Sequence, residues 1–131
     1  YQDCISAVGQ QPHLDVQLPD AVGCVLAEDV EAPFNLPVAD LAACDGYSVA
    51  AADLEGARPD APVVLPVTEE IRAGDIHPAA LIRGRAIRIA SGAPMPQGAD
   101  AVLALEFSDH GISKVSAKTQ PAVGENIRRK A

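Results

Sequence analysis

The sequence predicts a mainly β lobe with a small helical portion at its N-terminal end. Three observations carry this. Helical spacing of apolar residues is confined to the first part of the chain. From Gly46 onward the apolar residues come in short runs of strand length. Eleven prolines and ten glycines, spread through 131 residues, break everything between into short pieces.

In order, Tyr1, Cys4, Ile5 and Val8 fall on one helical face, which predicts the end of an amphipathic helix stopped by Gly9 and Pro12. Leu14, Val16 and Leu18 alternate with polar residues, as in a short strand. After Pro19, Asp20 is placed to cap a short helix running to about residue 28. Residues 30–32 read as extended, and Pro33 and Pro37 keep the segment after them from being helical. Strands are predicted at 47–49 and 63–67, with Pro59, Pro62 and Pro66 restricting pairing to edges or ends. Residues 87–90 alternate with arginine, so one face of that strand is wet, and 101–107 is the most apolar strand. The Ser-Asp-His-Gly run at 108–111 reads as a hairpin turn into a last strand at 112–117.

A formal charge of −8, no tryptophan and only two tyrosines and two phenylalanines argue against a nucleic-acid partner, which calls for a basic face or stacking aromatics. No apolar run reaches the roughly 18 residues of a membrane-spanning helix, and no basic start precedes an apolar stretch as in a secretory signal. The first residue is Tyr1 rather than Met, which suits a piece of something longer. Cys4, Cys24 and Cys44 match no zinc spacing. They read as small buried hydrophobes in a reducing cytoplasm.

Taken singly, the polar constellations are ambiguous. Asp45-Gly46 between apolar runs is first a tight turn, although its carboxylate is also the kind of hard ligand Mg²⁺ takes. Tyr47 reads as a half-buried core residue with a wet hydroxyl. Ser91-Gly92 resembles a backbone nest for an anion, without the spacing of a P-loop or of a serine-hydrolase elbow. Asp100 and Glu106 flank a strand whose length, about 20 Å, is too great for them to work on one bond, leaving Glu106 free to face a site alone. His13, His77 and His110 read as solvated loop residues. Arg128, Arg129 and Lys130 form either a solvated tail or part of a phosphate clamp.

The order of these stretches is more specific than any one of them. LAEDVEAP (26–33), Asp-Gly-Tyr (45–47), RIASGAPMPQGADAV (88–102), Glu106 and GENIRR (124–129) occur in sequence. Over nearly the whole chain the pattern resembles the N-terminal region of the MoeA-type molybdopterin molybdenumtransferases, which include the E domain of gephyrin. The resemblance implies a lobe of bifurcated, coiled sheets at 33–117, with 1–32 and 118–131 contributing to a small helical linker domain. It implies an enzyme of molybdenum cofactor biosynthesis that cleaves adenylylated molybdopterin, inserts molybdate and releases AMP with a divalent cation, Mg²⁺. A pterin-binding α/β domain would come next in the longer protein, a cytoplasmic homodimer with a molybdopterin adenylyltransferase as its partner. Residue by residue, Asp45 matches the family's essential acid, catalytic and metal-binding, and Ser91 its catalytic threonine. Gly46, Tyr47, Gly92 and Arg128 fall at substrate-binding positions.

One departure stands beside the acid. The family reads Phe-Asp-Asn-Ser-Ala-Met before Asp-Gly-Tyr, whereas this chain reads Ala39-Asp40-Leu41-Ala42-Ala43-Cys44. An aromatic, an amide and a hydroxyl are replaced, which sets a second reading beside the first: a diverged, non-catalytic scaffold or interaction module on the same fold.

Overall fold

Gly46 opens the strand on which the rest is assembled. The computed structural model describes residue 9, residues 11–76 and residues 78–131. The predicted opening helix over residues 1–8, with Cys4, lies outside the described residues, as does His77. The chain divides into two units, Tyr1–Pro33 and Phe34–Ala131.

The described part of the first unit holds one 3-10 turn, Leu18–Ala21, with proline at its start. No strand forms at 14–18, and the expected helix to residue 28 is this single turn. Gly23 takes φ 85°, the left-handed region that ends helices. Val22, Val25 and Leu26 are exposed, so no packed layer supports further turns.

The second unit contains a five-stranded sheet, in the order β5-β2-β4-β3-β6, and a two-stranded ribbon, β1-β7. The strands are β1 (Leu41–Ala42), β2 (Gly46–Val49), β3 (Val63–Ile71), β4 (Ala86–Ile89), β5 (Ala101–Ala104), β6 (Lys114–Ala117) and β7 (Ile127–Arg128). All pairs are antiparallel except β3 with β4. The sheet bifurcates along β3. Its first half, from Val63 to Pro66, pairs with β6, and its second half, from Val67 to Ile71, pairs with β4. Pro66 sits at the change of partner. There the absence of an N–H costs no bond to β4.

β2 is buried on both faces. Tyr47 and Val49 point into one core with Leu54, Leu65, Leu103 and Val115. The other face carries Ile71, Leu81, Ile87, Ile89 and Val102. Ser48, fully buried in the middle of β2, donates its hydroxyl to Ile87 O at 3.1 Å, so the polar group costs little there.

Three elements differ from expectation. β3 runs four residues past Val67 because its second half finds β4. β5 stops at Ala104, opposite Gly46, where β2 begins; with no partner strand beyond, Leu105–Phe107 turns into a 3-10 helix. The 108–111 loop does not join two strands paired along their length. β6 pairs with β3 and meets the β5 side only through a bridge between Ser108 and Ala117. The loop is tied internally: Asp109 Oδ1 accepts the N–H groups of Gly111 and Ser116. The C-terminal residues 118–131 lie within the second unit, as turns and β7.

Candidate functional site

Three distant stretches meet at β1, and they meet through backbone. On one side Ala42 N–H donates to Ala93 O at 2.9 Å, Gly92 N–H to Ala42 O at 2.8 Å and Met95 N–H to Asp40 O at 2.9 Å. On the other, Ala43 N–H donates to Asn126 O at 2.8 Å, and Leu41 stands opposite Arg128. The 40–46 segment is thereby held between the 90–95 loop and the chain's C-terminal end.

Asp45 is exposed at the end of this segment, and its Oδ1 accepts the Ser91 N–H at 2.7 Å. Ser91 Oγ donates to Ala43 O over a long 3.4 Å. The acid and the hydroxyl, 46 residues apart in sequence, are therefore neighbours, and both face solvent. Gly92 takes φ 80°, which lets the chain turn sharply behind Ser91. The Gly92 amide, offered to an anion on sequence grounds, is already donated to Ala42 O.

Gly46 and Tyr47 are placed differently. Gly46 is buried, and a Cβ there would collide with the Leu103 carbonyl, so the glycine lets β5 approach β2. Tyr47 is fully buried. Its hydroxyl is not wet but donates to Gly111 O at 2.7 Å, and burial pushes the phenol above its ordinary pKa.

The basic end divides its work. Arg129 Nη1 donates to Asp40 Oδ2 at 2.7 Å, and the Lys130 N–H donates to Asp40 Oδ1 at 2.7 Å. The Lys130 amide and the Arg129 guanidinium hold the Asp40 carboxyl below its ordinary pKa. Arg128 is exposed and makes no ion pair among the described residues. No sequence signal singled out Asp40 as the anchor of this tail.

Asp100 is structural: its Oδ1 caps the Ala51 N–H at 2.7 Å. Glu106 and His110 are exposed. Cys44 is half-buried against the second core cluster, and desolvation, then Asp45, Glu106 and Glu125, raise its thiol pKa, so it serves as a small hydrophobe. Cys24 is exposed, contrary to the buried reading. Among the described residues no three His, Cys, Asp or Glu side chains converge on a metal position.

Asp45 and Gly46 line a cavity of about 150 Å³ together with Glu70, Arg88, Ile89, Ala90 and Leu105. Glu70 and Arg88 escaped the sequence reading. Glu70 lies on the part of β3 that periodicity did not extend to, and Arg88 was read only as the wet face of its strand. A larger hollow of about 730 Å³ lies wholly among residues 11–27, walled mainly by apolar side chains such as Leu14, Val16 and Val25. No charged groups converge on it among the lining residues.

Residues 2–131 match the family described as MoeA N-terminal region (domain I and II). The chain is 46% identical over 116 residues to molybdopterin molybdenumtransferase 2 of Mycobacterium tuberculosis, covering 88% of this chain and 29% of the relative. It is 36% identical over 118 residues to the molybdopterin molybdenumtransferase of Bacillus subtilis, covering 87% and 27%. The crystal structure of a molybdopterin biosynthesis moeA protein from Pyrococcus horikoshii superposes with a TM-score of 0.79 at 38% identity, covering 88% of this chain and 30% of that one. The chain thus spans under a third of the length of these relatives. The bifurcated β lobe, the Asp45–Ser91 pairing and these likenesses agree: the chain belongs to the MoeA N-terminal region family.

Proposed function

We propose that this chain is the N-terminal part of a molybdopterin molybdenumtransferase, supplying one wall of a site that cleaves adenylylated molybdopterin, inserts molybdate and releases AMP. The observation that carries the reading is the exposed Asp45 carboxylate, held by the Ser91 amide through Oδ1. Its Oδ2 makes no hydrogen bond within the described residues.

A divalent cation fits the donor set. Mg²⁺ is commonly held by one or two carboxylates, with waters and substrate phosphate oxygens completing its shell, and Asp45 and Glu70 line one cavity. When bound, the ion supplies positive charge to the phosphoanhydride. The chain's own residues do the rest. Asp45, fixed in direction by Ser91, orients a water or the cation. The Ser91 hydroxyl, on a long and replaceable bond, turns to the ligand. Arg128, exposed beside β1, is free to pair with phosphate.

The altered residues at 39–44 leave the main-chain bonds around the site in place. β1 holds the site through the main chain of Asp40, Ala42 and Ala43, and the buried Ala42 side chain only fills core space. The grouping of 118–131 with 1–32, the homodimer, its cytoplasmic location and supply by a molybdopterin adenylyltransferase rest on the family resemblance and belong to the same proposal.

The test uses the longer protein. Asp45→Asn keeps an oxygen for the Ser91 N–H and removes the charge, so its melting temperature stays within a few degrees while AMP release falls by about a hundredfold or more. Ser91→Ala falls less. The 131-residue chain alone releases no AMP, since orienting the reactants takes both walls. If both variants melt lower yet release AMP normally, Asp45-Gly46 is a turn and no more.

A further inference from the structure

Arg88 stands on the sheet face that carries Asp45. Tyr47 on β2 and Glu70 on β3 are its register partners, so the three side chains share one face. Asp45, two residues before Tyr47, belongs to that face too, and Asp45, Glu70 and Arg88 line one cavity.

Each of the two carboxylates has one protein partner and one oxygen left over. Glu70 is paired with Arg72 at 3.2 Å, and Asp45 Oδ1 accepts the Ser91 N–H. Arg58, Arg72, Arg83 and Arg129 make ion pairs, whereas Arg88 makes no ion pair or side-chain hydrogen bond among the described residues. It is nevertheless half-buried in mid-strand. No buried side-chain nitrogen among the described residues lacks a partner, so its free donors open to solvent, where a ligand can reach them. A guanidinium brings five N–H donors in a fixed fork matched to tetrahedral oxyanions. The cavity, about 150 Å³, is well below the roughly 300–1,000 Å³ that takes a drug-sized ligand, and suits one small group.

We propose that Arg88 is an anion-binding residue, its guanidinium receiving a tetrahedral oxyanion at the Asp45 cavity. This deepens the function proposed above and rests on it only for the reaction that delivers the anion. The same chemistry serves a phosphoryl group of the substrate or molybdate itself. Glu70, paired at the surface with Arg72 rather than with Arg88, leaves negative charge beside the site and tempers its hold on an anion.

Binding is measured without turnover. The arginine Nε–H resonances of the 131-residue chain are monitored by NMR while inorganic phosphate, and separately molybdate, is added, with chloride at matched ionic strength as control. The Arg88 Nε–H and the Gly46 and Ala90 amides shift saturably with at least one oxyanion, and which one identifies the source. Arg88→Gln weakens binding by about tenfold or more, the loss of a charge-assisted contact. Arg88→Lys, losing the fork but keeping the charge, weakens it by about threefold. Glu70→Gln tightens it, a change that a merely structural arginine would not produce.

Shifts no larger than chloride causes, or native-like affinity in Arg88→Gln with an intact fold, overturn the proposal. Should the glutamine variant lose its native spectrum, undiminished affinity in Arg88→Lys overturns it instead. An unaltered AMP yield from Asp45→Asn would refute the role given to Asp45 in the reaction and leave this binding result standing. A flat titration would do the reverse.

Discussion

Asp-Gly-Tyr packs three different jobs into three consecutive residues. Asp45 faces solvent, Gly46 lets β5 approach β2, and Tyr47 reaches across the core to the 108–111 loop. Gly46→Ala places a methyl against the Leu103 carbonyl, and backbone cannot yield as a flexible side chain would. The expected cost is about 3 kcal/mol or more, read as a large drop in urea midpoint. Tyr47→Phe keeps the ring and loses the bond to Gly111 O, for about 1–2 kcal/mol, with loosening of the 108–111 loop visible in hydrogen exchange. Equal stability of Tyr47→Phe and wild type would mean that the loop holds itself through Asp109. The glycine was legible as a turn signal, but its real constraint is a contact with a strand more than fifty residues away.

At the scale of elements, β1 and β7 are two residues each and have no pairing strength of their own. They persist because each joins segments anchored elsewhere. Removing residues 121–131 would leave the Ala43 and Val102 amides without their acceptors at Asn126 and Glu125. It would also remove the Asn126 Nδ2 donation to Val102 O. The truncated chain is expected to keep its five-stranded sheet while the Gly92 and Ala93 amides exchange at least about tenfold faster. Unchanged protection there would show that the 90–95 loop stands without the tail. Short apolar runs of strand length revealed β2, β4, β5, β6 and the first half of β3, because those side chains meet packed cores. That signal missed both ends of the ribbon, because two-residue strands have no run to read.

Across the whole molecule, acid is the predicted weakness. Asp40, Asp53 and Asp109 all sit below their ordinary pKa, held respectively by the Lys130 amide and Arg129, by Arg83 and the Gly84 amide, and by the Ser116 and Gly111 amides. A carboxyl whose pKa is depressed by folding contributes fully above its unfolded value, about 3.9, and loses that contribution as pH falls through the folded value. The melting temperature is therefore expected to be level from about pH 7 to pH 5 and to fall below about pH 4. Asp53→Asn, which gives up the charged Arg83 fork, flattens part of that fall. A second expectation concerns the two units. Leu14, Leu18, Val25 and Val30 are at least three-quarters exposed, whereas β2 is wholly buried, so brief proteolysis cuts within 11–33 before it cuts the β unit.

The class of fold, the strand-rich body after Gly46 and the family were all legible in the chain before any folding, through motifs whose order is local information. So were Asp45 and Ser91 as the residues to look at first. Four facts emerge only in three dimensions: those two residues touch, Tyr47 turns inward, Asp40 anchors the tail, and Glu70 and Arg88 line the cavity beside Asp45. Alternation along a strand reports which face is wet, but which residue lies beside which depends on strand order and register. Those are set where β3 changes partners and where the tail returns to β1, by backbone bonds that no side-chain pattern encodes.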